Sequence, residues 1–197
     1  MVLPNQLTTL RIILTPVFLI LFLSNEPVLK QVSLAVYVAA AITDWYDGWL
    51  ARKFNYITTW GKFMDPLADK ILTSAAFFAF VAIGVLPLWM VLVVVIRDLF
   101  VTSLRLFAEW KKKTFTTNNL AKIKTFIQMI FIFYLLIVFT LKENYYLKVN
   151  FPQIIEYLTN PTLIYYVMLS ITVYTFLTGV IYIYQNRILI SRIILRK

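Results

Sequence analysis

The chain has 197 residues, 61% of them hydrophobic and only 14% charged, which is more apolar surface than one water-soluble core of this size can hide. It has no His and no Cys, which excludes Ser-His-Asp and Cys-His catalysis, thiolate nucleophiles, disulfides, and zinc or iron–sulfur centres that need those ligands. The net charge of +10 suits anionic lipid or a phosphorylated substrate better than nucleic acid, because the basic residues sit mostly at the ends of hydrophobic segments.

A helix that crosses hydrocarbon needs about 20 mostly apolar residues. In chain order such stretches centre on 7–23, 32–50, 63–85, 88–107, 123–141 and 163–184. The first has no basic residue before it and is interrupted by Arg11 and Pro16, so it reads as a retained span rather than a cleaved leader. Polar and Pro/Gly punctuation separates the stretches: Ser24-Asn25-Glu26-Pro27, Phe54-Asn55-Tyr56, Gly84 to Pro87, Lys111-Lys112-Lys113 with Asn118-Asn119, and Asn160-Pro161. Strand-type alternation is absent, so the pattern predicts an all-α, polytopic integral membrane protein of about six transmembrane helices, one domain over 1–197.

Orientation follows the basic residues. An even number of spans puts both termini on one side, with Arg11, Arg52, Lys53, Lys62, Arg105, Lys111, Lys112, Lys113, Lys122, Lys124, Arg187, Arg192, Arg196 and Lys197. The other side holds Lys30, Lys142 and Lys148, so both termini and the second and fourth loops are expected in the cytoplasm. Trp60, Trp89 and Trp110 suit interfacial anchors. The basic, apolar tail 185–197 is expected to be a frayed end on anionic headgroups.

Four of the five Asp residues, Asp44, Asp47, Asp65 and Asp69, fall in or against apolar spans. An intramembrane carboxylate is costly, by about 2.5–3.5 kcal/mol even on insertion scales, and is normally paired, solvated or bound to a cation. Asp44 and Asp47 share a helix face, with Gly48 and Arg52 on an adjoining strip, and Gly61, Asp65 and Asp69 repeat every four residues on the next helix. The short connection, roughly 52–60, makes the two helices antiparallel neighbours whose carboxylates converge. Two divalent cations would balance four carboxylates, and oxygen-only ligands select Mg²⁺, Mn²⁺ or Ca²⁺. Such a pair commonly clamps a phosphoryl group in an in-line displacement. Gly48 would let a diphosphate approach the backbone and Arg52 would offer its oxygens a planar fork. The same residues also admit an ion-pair network with Arg52, Lys53, Lys62 and Lys70, or a transporter whose carboxylates carry Na⁺ or H⁺.

Written out, the segment is Asp44-x2-Asp47-Gly48-x2-Ala51-Arg52-x8-Gly61-x3-Asp65-x3-Asp69. It resembles the signature of the CDP-alcohol phosphotransferase family at every specified position. The resemblance implies six transmembrane helices, a homodimer, and two Mg²⁺ or Mn²⁺ ions in the cytoplasmic half of the membrane, held by Asp44, Asp47, Asp65 and Asp69. It also implies transfer of a phosphate-linked group from a CDP-linked donor to an alcohol, with release of CMP. Gly48, Ala51 and Arg52 would line the donor site, with Asn5 and Thr8 at its border; Asp65 and Asp69 would be catalytic, Asp69 completing the metal site or acting as the base.

Three further segments, Pro4-Asn5-Gln6-Leu7-Thr8-Thr9-Leu10-Arg11, Arg97-Asp98 with Leu104-Arg105, and Lys122-Ile123-Lys124-Thr125 with Gln128-Met129, are similar to the bacterial branch that makes phosphatidylglycerophosphate. Ala121 departs from that branch, which commonly has Gly there. This likeness implies CDP-diacylglycerol as donor and glycerol 3-phosphate as acceptor, in a multi-pass protein of the cytoplasmic (inner) membrane with its site facing the cytoplasm. The acceptor is a small dianion, and Arg97, Arg105, Lys122, Lys124 and Thr125 are the expected phosphate pocket. The same family also admits inositol phosphate, serine or phosphatidylglycerol as acceptor. Asp98 is a poor partner for Arg97 on spacing, since adjacent helical side chains diverge.

Overall fold

The segments Leu120–Lys142 and Pro152–Ser191 are long and apolar enough to cross a membrane, and shorter apolar helical stretches occupy Leu7–Phe22 and Pro27–Thr43. The computed structural model describes residues 3–54, 59–111, 113, 115 and 119–194. Every regular element among them is a helix: α1 (Leu3–Phe22), α2 (Pro27–Phe54), α3 (Thr59–Ala82), α4 (Leu88–Trp110), α5 (Asn119–Lys142), α6 (Tyr145–Asn150), α7 (Pro152–Leu158) and α8 (Pro161–Ile194). The long helices overlie the six apolar stretches. The short pair α6 and α7 is not foreseen by hydropathy.

Local chemistry sets the boundaries. After α3 the chain turns through Gly84, whose φ of 74° is one that a side chain would strain, and the amides of Val85 and Leu86 both donate to the Phe80 carbonyl. Pro87 then precedes α4 with an extended backbone. The Asn144 side chain caps α6 by accepting from the Leu147 amide, and Pro152 opens α7 where its missing N–H is not needed. Asn160 accepts from the Thr162 and Leu163 amides at 2.9 and 3.3 Å, which restarts the chain as α8.

α1 packs along both α2 and α3, and among the described residues those two helices also contact each other directly. α1 nests against the pair because its buried Phe18 and Phe22 reach Tyr37 of α2 and Phe80 of α3, at ring separations of 5.1 Å in both cases. α4 packs on α3 and α8, and α5 packs on α8 with further contacts to α2 and α3. The apolar core between these helices includes Leu72, Phe77, Met90, Leu135 and Met168.

The exterior is that of a membrane protein. Ile20, Ile96, Phe126 and Tyr166 are between 62% and 73% exposed, whereas Thr8, Arg11, Asp98 and Lys124 are buried. Apolar groups outside and charged groups facing neighbouring helices is the arrangement hydrocarbon imposes. Trp89 and Trp110 are exposed as anchors would be, and Trp60 lies outside the described side chains. The tail departs from expectation: helix α8 continues to Ile194, with Asn186 buried and donating to the Tyr182 carbonyl at 2.9 Å. Residues 195–197 lie outside the described residues.

Candidate active site

The charged groups collect toward one end of the bundle. At the other end Lys30, at the start of α2, pairs with Glu143, just past α5, at 2.7 Å. The N-terminal turns of α3 therefore lie with the beginning of α5, so that Asp69 in the third turn shares a cleft with Lys122 and Lys124.

Asp65 and Asp69 occupy one stripe of α3, one helical turn apart, with Pro66 between them. Pro66 has no N–H to give the carbonyl four residues back, so the helix wall here carries one hydrogen bond fewer. Thr8 of α1, itself buried, donates its hydroxyl to Oδ1 of Asp65. The Lys70 ammonium lies 3.0 Å from Oδ2 of Asp69. One pairing from the ion-pair interpretation is thus present, and Thr8 meets a carboxylate in addition to any role beside a nucleotide.

A cleft of about 530 Å³ opens between α3, α4 and α5. Asp69 lines it, and so do Arg97, Arg105, Lys122, Lys124 and Thr125, all five residues expected to bind the acceptor phosphate. Lys70 and Asp98 line it as well, and so do Thr102 and Glu109, which the sequence pattern does not single out. Ala121, at the departure noted above, is another wall residue, and its carbonyl accepts the Thr125 hydroxyl at 3.1 Å.

The cations of the cleft divide into two kinds. Asp98 Oδ1 accepts from Lys124 Nζ and, at 3.1 Å, from Arg97 Nη1. Arg97 and Asp98 pair despite being adjacent on one helix, contrary to expectation from their spacing, because the guanidinium stem is long enough to fold back along α4. Arg97 Nη2 also donates to Thr178 of α8 at 3.2 Å. By contrast, Arg105 and Lys122 have no carboxylate partner among the described residues: Arg105 Nε, like Arg97 Nε, is buried without a hydrogen-bond partner there, and Lys122 is exposed at the cleft.

The side chains of Asn5, Asp44, Asp47, Gly48, Ala51 and Arg52 lie outside the described residues, although the backbone of all six is helical. Among the described residues no group of three or more His, Cys, Asp or Glu gathers to hold a metal ion. The donor chemistry nevertheless fits a hard divalent cation: with His and Cys absent, only oxygen ligands are on offer, and a carboxylate held at one oxygen keeps the other as a ligand atom. A carboxylate beside a cationic cleft is suited to holding a phosphorylated alcohol while accepting a proton from its hydroxyl.

The family model described as CDP-alcohol phosphatidyltransferase matches residues 1–171. A CDP-diacylglycerol–glycerol-3-phosphate 3-phosphatidyltransferase of Bacillus subtilis is 41% identical over 140 residues, covering 65% of this chain and 72% of that protein. Proteins of the same name are 37% identical over 127 residues in Rickettsia typhi, covering 64% and 71%, and 36% identical over 148 residues in Wigglesworthia glossinidia brevipalpis, covering 68% and 75%.

Proposed function

The chain belongs to the CDP-alcohol phosphatidyltransferase family, and we propose that it transfers the phosphatidyl group of CDP-diacylglycerol to glycerol 3-phosphate, giving phosphatidylglycerophosphate and CMP. The observation that carries this reading is the cleft that holds Asp69 and a cationic wall together, in a chain whose relatives bear the name of that reaction.

The primary hydroxyl oxygen of glycerol 3-phosphate attacks the lipid-linked phosphorus of the donor, its bond to CMP breaks, and the hydroxyl proton passes to Asp69. Arg105 and Lys122 receive the acceptor's phosphate, and Thr125 borders it. Gly48, Ala51 and Arg52, with Asn5 and Thr8, line the nucleotide and diphosphate of the donor. Asp44, Asp47 and Asp65 would hold two Mg²⁺ or Mn²⁺ ions, whose chemistry is to offset negative charge on the diphosphate and departing CMP, with Asp69 beside them as the base. Thr8 fixes the direction of Asp65 within that set.

Six helices span the cytoplasmic membrane with both termini and the active site on the cytoplasmic side, in a homodimer. Lipid tails then stay in the bilayer while CMP and glycerol 3-phosphate exchange with cytoplasm.

The test is CMP release by purified protein given CDP-diacylglycerol and Mg²⁺ with the alcohol varied. Release that depends on glycerol 3-phosphate is the expected result. Release only with inositol phosphate, serine or phosphatidylglycerol would move the chain to another branch, and none with any alcohol would overturn the assignment to transfer chemistry.

A further inference from the structure

Among the cleft residues Asp98 stands apart, because two of the cleft's cations, Arg97 and Lys124, both pair with its carboxylate. It is 6% exposed, and its Oδ1 takes hydrogen bonds from two cations at once, Lys124 on α5 and Arg97 on its own helix. Lys124 is 2% exposed, so its ammonium meets a water-borne anion only by leaving Asp98. Arg97 is anchored a second time by Thr178, itself buried on α8. Gly179, next in sequence, makes room for it: a Cβ there would lie 3.0 Å from Arg97 Cγ and 3.2 Å from Nε. The guanidinium stem therefore lies against α8 backbone, and one carboxylate joins α4, α5 and α8.

A buried ion pair of this kind contributes little net stability, because desolvation offsets most of its attraction. Its effect is on what the neighbouring cleft presents. Five cations line the cleft, Lys70, Arg97, Arg105, Lys122 and Lys124, against three carboxylates, Asp69, Asp98 and Glu109, which leaves +2. That balance matches a phosphate monoester dianion. Without Asp98 the same wall would carry +3, and two long side chains would lose their tether.

We infer that Asp98 is a positioning residue for acceptor selection: it withdraws Arg97 and Lys124 into a strut between α4, α5 and α8, so that Arg105 and Lys122 alone receive the phosphate of the acceptor. The inference rests on the transfer reaction proposed above for the identity of the acceptor, though the charge balance it describes is testable without turnover.

Two measurements on the purified full-length protein separate the cases. Calorimetric titration with inorganic phosphate reads the cleft directly, and CMP release reads KM for glycerol 3-phosphate against kcat. Asp98→Asn should bind inorganic phosphate about tenfold more tightly, the effect of one added charge in a partly solvated cleft, while kcat falls and KM for CDP-diacylglycerol holds. The charge-balanced double variant Asp98→Asn with Lys124→Met should return phosphate affinity to that of the unmodified protein and recover kcat. Thr178→Val and Gly179→Ala, which release Arg97 without touching Asp98, should change phosphate binding in the same direction as Asp98→Asn and serve if that variant does not fold. Phosphate affinity unchanged in these variants overturns the inference, as does Lys124→Met alone raising the acceptor KM as much as Arg105→Gln, since Lys124 would then hold the substrate itself. Absence of CMP release by the unmodified protein would instead count against the reaction, leaving the phosphate titrations to judge Asp98.

Discussion

The hydroxyl of Thr8 donates to Oδ1 of Asp65 across a sequence separation of 57 residues, tying the first helix to the acidic stripe of the third. A carboxylate that must hold a cation at a fixed angle gains from such a partner, and loss of an outer partner typically costs about 10–100-fold in metal affinity or activity. Thr8→Val, which keeps the shape and removes the donor, should weaken Mn²⁺ binding by about tenfold, and Thr8→Ser should preserve it. Direct titration of Mn²⁺ into purified protein checks this independently of turnover; equal affinity in the Val variant would separate Thr8 from the acidic set.

Asp69 is the carboxylate shared by the acidic stripe and the cationic cleft. With no His in the chain, it is the group best placed to take a proton from an acceptor hydroxyl. Asp69→Asn should lower CMP release by about 10²–10⁴-fold, the range for a lost general base. Binding of CDP-diacylglycerol should change far less, since Asn keeps the side-chain volume. A variant that turns over normally would remove Asp69 from proton transfer.

Arg105 and Lys111 carry the same charge in different settings. Arg105 lines the cleft with its Nε buried and without an acceptor among the described residues, whereas Lys111 is exposed beyond α4 and sits over the Phe107 ring at 5.4 Å. A charge-assisted hydrogen bond is worth about 1.5–3 kcal/mol, so Arg105→Gln should raise KM for glycerol 3-phosphate by about 10–100-fold. Lys111→Gln should leave it unchanged. Steady-state kinetics on the pair distinguishes a phosphate site from a general effect of positive charge.

Much of this architecture is legible in sequence because lipid imposes a simple rule. The six long helices follow from runs of apolar residues, and the stripe of Gly61, Asp65 and Asp69 follows from helical spacing alone. The pocket residues Arg97, Arg105, Lys122, Lys124 and Thr125 also come together as expected, although they sit on two helices. What the pattern does not carry is pairing at a distance. Nothing in the spacing of Thr8 and Asp65, or of Arg97 and Thr178, announces a contact, because each depends on which helices pack together. The same limit explains the place of α1: periodicity shows that it is apolar, not that Phe18 and Phe22 set it against both α2 and α3. The short α6 and α7 escape hydropathy because six and seven residues are too few to form a span-like run.

Phe80 tests the packing that holds the site helices together. It is fully buried on α3, with Phe22 of α1 at 5.1 Å and Phe139 of α5 at 5.7 Å, both edge to face. Truncating a buried Phe to Ala costs about 3–5 kcal/mol where the cavity does not collapse. Phe80→Ala should therefore lower the detergent-solubilised melting temperature markedly, whereas Phe80→Leu should lower it less. If both melt like the unmodified protein, the aromatic chain is not what fixes α1, α3 and α5.

The ion pair at the opposite end makes the reverse prediction. Lys30 and Glu143 are 2.7 Å apart, yet their side chains are 23% and 36% exposed, so water and salt screen the attraction and ordering two long side chains offsets part of it. Such a pair is worth about 1 kcal/mol at most. Glu143→Gln should shift the melting temperature only slightly and leave CMP release intact, since the cleft lies at the far end of α5. Asp98 uses the same kind of charges with the opposite outcome, because it is enclosed by three helices and its removal leaves two cations without their counter-ion. Measuring both variants in one thermal series compares burial directly: a larger loss in Glu143→Gln than in Asp98→Asn would contradict the account of charge given for this bundle.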